Sequence, residues 1–447
     1  MELQMLLERI NLYVFGWPLL IFVIAVGLIC TLATRLIQIR YFSAMWKYTF
    51  GKSEAQSTSH AASDMTPLQA FINTLSTNLG NGSIAGMATA LYSGGPGSAI
   101  WVVIIGLILM AVRYAEVFLS TYSAAHATHT NVRIGGPMLY LRRIPGGVYI
   151  AQLYALLCLI FGLIGGNAIQ TNSISLSLNS TWAVPLWVCA CLVFVFMLYV
   201  MFGGAARVVK VSDKLVPVKV ILFFVSTFIV LAYHYQAIVP ALKLMIHAAF
   251  SSRAVLGGII GFSVQQAMRF GIFRSIMATE SGLGTAAILF GSTGSTRPVK
   301  DGVMSMLSTF ISTIVCFIVA LCIVVSGVWN SGLTSTPLTI AAFNTVFGEW
   351  GGWLVSFLSV TFGAGVLVSY GYITREAWLS VTGGRGALLF TILYCVVAFL
   401  GALVKVDVVW ASVDLVNAAM LIINLLGIVY LLPLIISQLG LFERKTN

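Results

Sequence analysis

Asn73-Thr74-Leu75-Ser76-Thr77-Asn78-Leu79-Gly80-Asn81-Gly82-Ser83-Ile84-Ala85-Gly86 stands at the centre of an otherwise apolar stretch bounded by Thr66-Pro67 and Gly95-Pro96. Glycine costs about 1 kcal/mol in a helix interior. Several glycines beside Asn and Ser therefore predict an unwound segment inside a membrane-length run. Such backbone persists at membrane depth only where it lines a cavity or is buried in protein. Close helix packing through Gly82-x-x-x-Gly86 accounts for the glycines. It does not account for the Asn and Thr crowded among them, and cavity lining is the reading that covers both.

Working outward, the chain is apolar throughout. Of 447 residues, 59% are hydrophobic and 8% charged, and the mean hydropathy is +0.99. A soluble domain carries about 25% charged residues, so the surplus apolar surface faces lipid. A helical span needs about 20 apolar residues. Eleven stretches qualify, near 17–39, 67–92, 97–122, 148–171, 183–202, 214–234, 254–290, 303–328, 350–374, 386–404 and 408–437. Continuous runs suit helices, whose backbone bonds are internal, whereas a barrel would show short alternating segments. The first stretch is followed by Arg35 and Arg40 rather than a small-residue cleavage site and is read as a retained helix.

A second span, Gly257 through Gly291, is also too long and too polar for a plain lipid-facing helix. It carries Gln265, Gln266, Arg269, Arg274 and the run Glu280-Ser281-Gly282-Leu283-Gly284. After the first helix, the two unusual spans are the first and sixth of ten, so each opens a group of five. Broken helices at matching places in two halves point to a transporter site. Five is odd, so the halves are inverted. The expected organisation is an extra helix and linker over 1–66, a first five-helix repeat over 67–234 and a second over 235–447, an all-α polytopic membrane protein.

The net charge of +11 invites a nucleic-acid reading, but its placement argues against one. With the amino terminus outside and eleven crossings, 16 of the 24 Lys and Arg fall in cytoplasmic segments. Only Arg9, Lys243, Arg253 and Lys405 fall outside, and Arg113, Lys219, Arg269 and Arg274 lie within or at the edges of spans. This is the positive-inside bias, which places the carboxyl terminus in the cytoplasm. The seven cysteines all fall in apolar spans without metal-site spacing and read as small apolar fillers. The histidines (His60, His126, His129, His234, His247) bring no third ligand near His126 and His129. No cofactor is expected.

A zwitterionic substrate needs donors for its carboxylate and acceptors for its ammonium. Half-helix amino termini and free N–H groups supply the first; free carbonyls and side-chain amides supply the second. Ser76, Thr77, Asn78, Gly80, Asn81, Gly82 and Ser83 offer both within two turns and without a fixed charge, which favours a small neutral substrate. On the third core span Asn167 and Gln170 lie three apart on one face, and helix-to-helix hydrogen bonding is the alternative use of Asn167. Arg113, Glu116, Arg274, Glu280 and Glu376 fall near expected cytoplasmic ends, where interfacial ion pairs that gate or anchor are the expected use.

These segments together resemble the alanine/glycine:cation symporter family. The resemblance is carried by Ser76 through Gly86 followed by Gly94-Gly95-Pro96-Gly97, and by Arg113-Tyr114-Ala115-Glu116. It continues through Gly135-Gly136-Pro137-Met138-x-Tyr140, Gly166-Asn167-x-x-Gln170-x-Asn172, Arg274 with Glu280-x-Gly282-x-Gly284, and Val409-Trp410-x-x-x-Asp414 with Asn417 and Asn424. It implies the leucine-transporter type of fold and cation-coupled uptake of alanine, glycine or D-alanine. The site would lie between the first, third, sixth and eighth core helices, which adds Tyr370. Sodium would be the coupling ion, with Gly80 and Ser83 in its shell. On the eighth helix the family carries a Ser-Thr pair before a Glu. The matching positions before Glu376 here are Val366 and Leu367, which offer no side-chain oxygen. The nearest hydroxyls are Thr361 and Ser369, and Thr361 stands about 140° off the face of Val366 at 3.6 residues per turn. Proton-coupled or uncoupled transport is the alternative.

No G-x-x-x-x-G-K-[ST] loop is present, which removes direct ATP drive by this chain. Neither H-E-x-x-H nor G-x-S-x-G occurs, which argues against an intramembrane enzyme; a channel would favour a repeated pore motif. The expected protein is thus a monomeric secondary importer in a bacterial or archaeal cytoplasmic membrane. Its partners are a small amino acid, a coupling cation and the bilayer, with no nucleic acid.

Overall fold

The computed structural model describes residues 16–51, 64–126, 135–250, 264–404 and 407–446, with backbone only for 407–412, 445 and 446. Arg9, Lys52, Arg133, Arg253 and Lys405 of the charge pattern, His60, His129 and residues 257–263 of the second polar span lie outside the described residues, as do the side chains of Trp410 and Lys445.

The described chain is helical. Helix α1 (Trp17–Ala33) and the short α2 (Phe42–Phe50) precede the first half. That half holds a broken helix made of α3 (Pro67–Asn78) and α4 (Met87–Gly94), then α5 (Ser98–Ala125). Next come α6 (Gly147–Leu163) running through a wide π turn into α7 (Ile169–Trp182), α8 (Leu186–Met201) and α9 (Gly204–Tyr233). A linking helix α10 (Tyr235–Phe250) follows. The second half opens on another broken helix, α11 (Val264–Thr279) and α12 (Thr285–Gly291), then α13 (Pro298–Val325). It closes with α14 (Ser335–Phe347), α15 (Trp350–Thr382), α16 (Ala387–Leu403) and α17 (Asp407–Thr446).

The halves correspond in order. The second helices, α5 and α13, are 28 residues each, and the fourth, α8 and α16, are 16 and 17. Counterparts pack on one another: α5 on α13, α7 on α15, α8 on α16. Pairing of counterparts is what an axis between two inverted repeats produces. Among the described residues six helices are long and apolar enough to cross a membrane alone. The expected eleven crossings are therefore not eleven long helices: two are broken, and α1, α8 and α16 have 16 or 17 residues. Between the apolar stretches 303–328 and 350–374 lies α14, which is not one of the expected crossings.

Local chemistry sets both breaks. Thr66 and Gln69 form a reciprocal capping box and Pro67 takes the first helical position, so α3 starts cleanly. It stops at Leu79-Gly80, and a wide turn over Gly82–Gly86 leads into α4. Wide turns of this kind mark functional places in helices. In the second break Glu280 has φ 51°, Gly282 92° and Gly284 84°. The last two lie where a side chain is strained and glycine is not.

Candidate functional site

A cavity of about 1050 Å³ opens between the two breaks, α7, α14 and α15. Its floor is made by Thr77, Asn78, Gly80, Asn81, Gly82 and Ser83 from the first break, Gln170 from α7, Arg274 and Glu280 from the second broken helix, and Tyr370 from α15. The lining climbs to Thr89, Asn179 and Asn344, the end of the bundle where the charge pattern puts the outside. Asp414 of α17 also lines it.

Several buried polar atoms at this floor have no partner among the described residues: both amide atoms of Asn78, Nδ2 of Asn81, Oε1 of Gln170, and Nε and Nη2 of Arg274. Each such atom costs about 1–3 kcal/mol if left unsatisfied. Donors and acceptors are thus present together, aimed at one space. Asn81 is held by accepting at Oδ1 from Ser359 Oγ at 2.8 Å. Glu280 accepts from Tyr370 Oη at 2.7 Å and from Thr285 Oγ1 at 2.8 Å. The glycines of the first break make room for Arg274. A methyl on Gly86 would overlap its Nη1, and one on Gly82 would stand 3.1 Å from Nη2. Packing and cavity lining, set against each other for Gly82 and Gly86 in the sequence, are here one function.

The second break is closed by the protein itself. Glu116 Oε2 accepts from the N–H groups of Gly282 and Gly284 at 3.1 Å each, while its Oε1 accepts from Arg113 Nη1 at 2.7 Å. Arg113 also donates to the Thr279 carbonyl and to Thr309 Oγ1. Asn424 donates to the Gly282 carbonyl at 2.7 Å and accepts from Tyr140, and Tyr154 donates to the Leu283 carbonyl.

The expected site residues divide accordingly. Thr77, Asn78, Gly80, Asn81, Gly82, Ser83, Gln170 and Tyr370 come together at the floor. Ser76 does not line the cavity; its carbonyl and hydroxyl accept from Lys219. Asn167 does not line it either, and donates to the Tyr394 carbonyl on α16 at 2.8 Å, the helix-to-helix use. Of the expected ion pairs, Arg113–Glu116 forms with both side chains fully buried, not at an interface. Glu376 stands 3.6 Å from Arg375. Arg274 and Glu280 are in no ion pair among the described residues and face the cavity instead. The candidate cation ligands are dispersed. Ser83 Oγ donates to the Asn78 carbonyl, Thr361 Oγ1 to carbonyls of its own helix, and Ser369 Oγ to Asn73 Oδ1. Thr361 and Ser369 are eight residues apart on one helix, about 12 Å along its axis. Lys219, Asn424 and the cavity-facing Asp414 lie beyond the expected site residues: Lys219 meets the first break and Asn424 the second.

The sodium:alanine symporter family matches residues 1–447. An uncharacterised transporter of Haemophilus influenzae is 30% identical over 442 residues, 98% of this chain and 96% of its own length. The sodium/alanine symporter AgcS of Methanococcus maripaludis is 28% identical over 452 residues, 99% of this chain and 98% of its own. A crystallised Eremococcus coleocola manganese transporter, in complex with an aromatic bis-isothiourea substituted compound, superposes with a TM-score of 0.50 at 13% identity, covering 86% of this chain and 80% of its own. At that identity the likeness is one of fold alone.

Proposed function

The chain belongs to the sodium:alanine symporter family, and from that premise we propose that it imports small neutral amino acids, of the class of alanine, glycine and D-alanine, by alternating access. Membership makes it a cation-coupled amino-acid transporter with several membrane-spanning helices, not an enzyme, and no cofactor is indicated. The observation that carries the substrate class is the set of unpartnered atoms at the cavity floor. Arg274 Nε and Nη2 suit a carboxylate, and Gln170 Oε1 and Asn78 Oδ1 suit an ammonium. One guanidinium and one carboxylate, Arg274 and Glu280, face the same space, a charge balance that fits a net-neutral zwitterion. Phe161, Val366 and Tyr370 also line it, and their bulk favours a short side chain.

Sodium is the coupling ion of the family. A sodium ion near the floor would take Gly80 and Ser83 as oxygen donors and would need Thr361 or Ser369 to complete its shell, which each could do only by giving up present bonds. The amino terminus is proposed outside and the carboxyl terminus in the cytoplasm, and the working unit as a monomer. Labelling of a cysteine placed at residue 445 from outside only would overturn that topology. Titration calorimetry of the purified protein with alanine, glycine and D-alanine tests the substrate class. Binding of at least one is expected, and heats indistinguishable from buffer for all three would remove it.

A further inference from the structure

Lys219 lies on α9, fully buried, with no carboxylate in ion-pair range among the described residues. An unpaired ammonium is costly inside a membrane protein and is a functional candidate by default. Its surroundings explain why it is tolerated. Nζ donates to the Leu79 carbonyl at 3.0 Å, the Ser76 carbonyl at 3.2 Å and Ser76 Oγ at 3.4 Å. Three donors meet three oxygens. Two of those oxygens are main-chain carbonyls at the carboxyl end of α3, where the helix breaks and its last carbonyls point to no further turn. That end carries the negative pole of the half-helix dipole. The Phe362 ring stands 5.3 Å from Nζ and adds a favourable face.

The opposite wall is cut to fit. Gly365 of α15 faces this point, and a methyl there would lie 2.6 Å from Lys219 Nζ and 2.7 Å from Ser76 Oγ. The next two residues, Val366 and Leu367, bring no side-chain oxygen. The set of partners is therefore that of a small hard cation, several oxygens of which two are carbonyls, but the cation is attached to α9.

We propose that the Lys219 ammonium is a built-in cation that occupies the metal-ion position between the first helix break and α15, so that this chain moves its substrate without sodium at that position. The proposal rests on the transporter reading above, and its test separates the two. Wild type and Lys219→Ala are compared in detergent by thermal unfolding in sodium chloride against choline chloride at equal ionic strength, without substrate. Alanine uptake into proteoliposomes is then measured under the same two salts at fixed pH. Wild type is expected to melt at the same temperature in both salts and to retain its uptake in choline within about twofold. Lys219→Ala, whose vacated oxygens accept a free ion, is expected to gain stability from sodium, by about 2–4 °C, and to lose about tenfold or more of its uptake in choline. Sodium stabilisation of wild type, or loss of wild-type uptake on replacing sodium, overturns the proposal. If Lys219→Ala does not fold, the wild-type melting comparison decides alone. Absence of any amino-acid binding would instead overturn the substrate reading, while the melting comparison still judges Lys219.

Discussion

The two helix breaks are built alike and completed differently. At the first, the carbonyls of Ser76 and Leu79 are met by the Lys219 ammonium; at the second, the N–H groups of Gly282 and Gly284 are met by the Glu116 carboxylate. A half-helix that ends exposes acceptors and one that begins exposes donors, so each break has drawn the charge its polarity favours. The side chains differ. Around the second break Arg113, Glu116, Asn424 and Tyr140 bond one another in a chain, and Tyr154 donates to the Leu283 carbonyl. Around the first, Asn78 and Asn81 keep unpartnered atoms toward the cavity. One break is bonded throughout within the protein, and the other presents open side-chain amides to the cavity.

The largest test of that contrast is Glu116→Ala. It strands the fully buried Arg113 and two amides, and breaking a buried pair from one side costs about 3–5 kcal/mol. Denaturant or thermal unfolding in detergent should show a loss of that order whatever the salt. A loss under about 1 kcal/mol would mean that the second break is not held by this carboxylate. Gly86→Ala should act oppositely, on ligand and not on fold. The nearest atoms to its methyl are those of the Arg274 guanidinium, the far end of a long side chain, so stability should hold while amino-acid affinity falls about tenfold, near 1.4 kcal/mol. Equal affinity in calorimetry would remove Arg274 from the site. Smaller again are Gln170→Ala and Asn81→Ala, each expected to cost about 0.5–1.5 kcal/mol in substrate binding with the protein still folded. Unchanged transport in both would return the floor amides to a packing role.

How much of this the sequence shows follows from where each partner sits. The first break is legible because Gly80-Asn81-Gly82 interrupts a membrane-length run, and its counterpart because Glu280-x-Gly282-x-Gly284 does the same. Gln170 is legible as a polar residue on an apolar helix, but Asn167 carries the same signal and serves α16 through the Tyr394 carbonyl. Composition cannot distinguish an amide that meets a ligand from one that meets a distant main chain. Glu116 reads as an end-of-span anchor because the N–H groups it holds are 166 and 168 positions away. Lys219 is the hardest case. Its partners are mainly carbonyls, which every residue has and no sequence pattern marks, and a lone lysine at the edge of a span ordinarily reaches back to the interface.

The smallest expected effects bear on the cation at the first break. If a metal ion sat there with help from α15, Thr361 or Ser369 would have to turn toward it. Thr361 Oγ1 now donates to the Phe357 and Leu358 carbonyls of its own helix, bonds that those carbonyls can do without because they also serve the helix ladder. Ser369 Oγ donates to Asn73 Oδ1, which also accepts from Ser212 Oγ at 2.8 Å and so keeps a partner when Ser369 is gone. Thr361→Val and Ser369→Ala therefore leave no buried group newly unpaired apart from what the substituted residue itself carried. Each should change stability by no more than about 0.5 kcal/mol, and uptake measured in sodium and in choline should stay within about twofold of wild type. A strong loss in either variant that appears only in sodium would place a metal ion on α15 and set the first break, which then needs an outside cation, apart from the second, which Glu116 closes from within. Indifference in both salts leaves the ammonium of Lys219 as the charge that completes the first break, as the carboxylate of Glu116 completes the second.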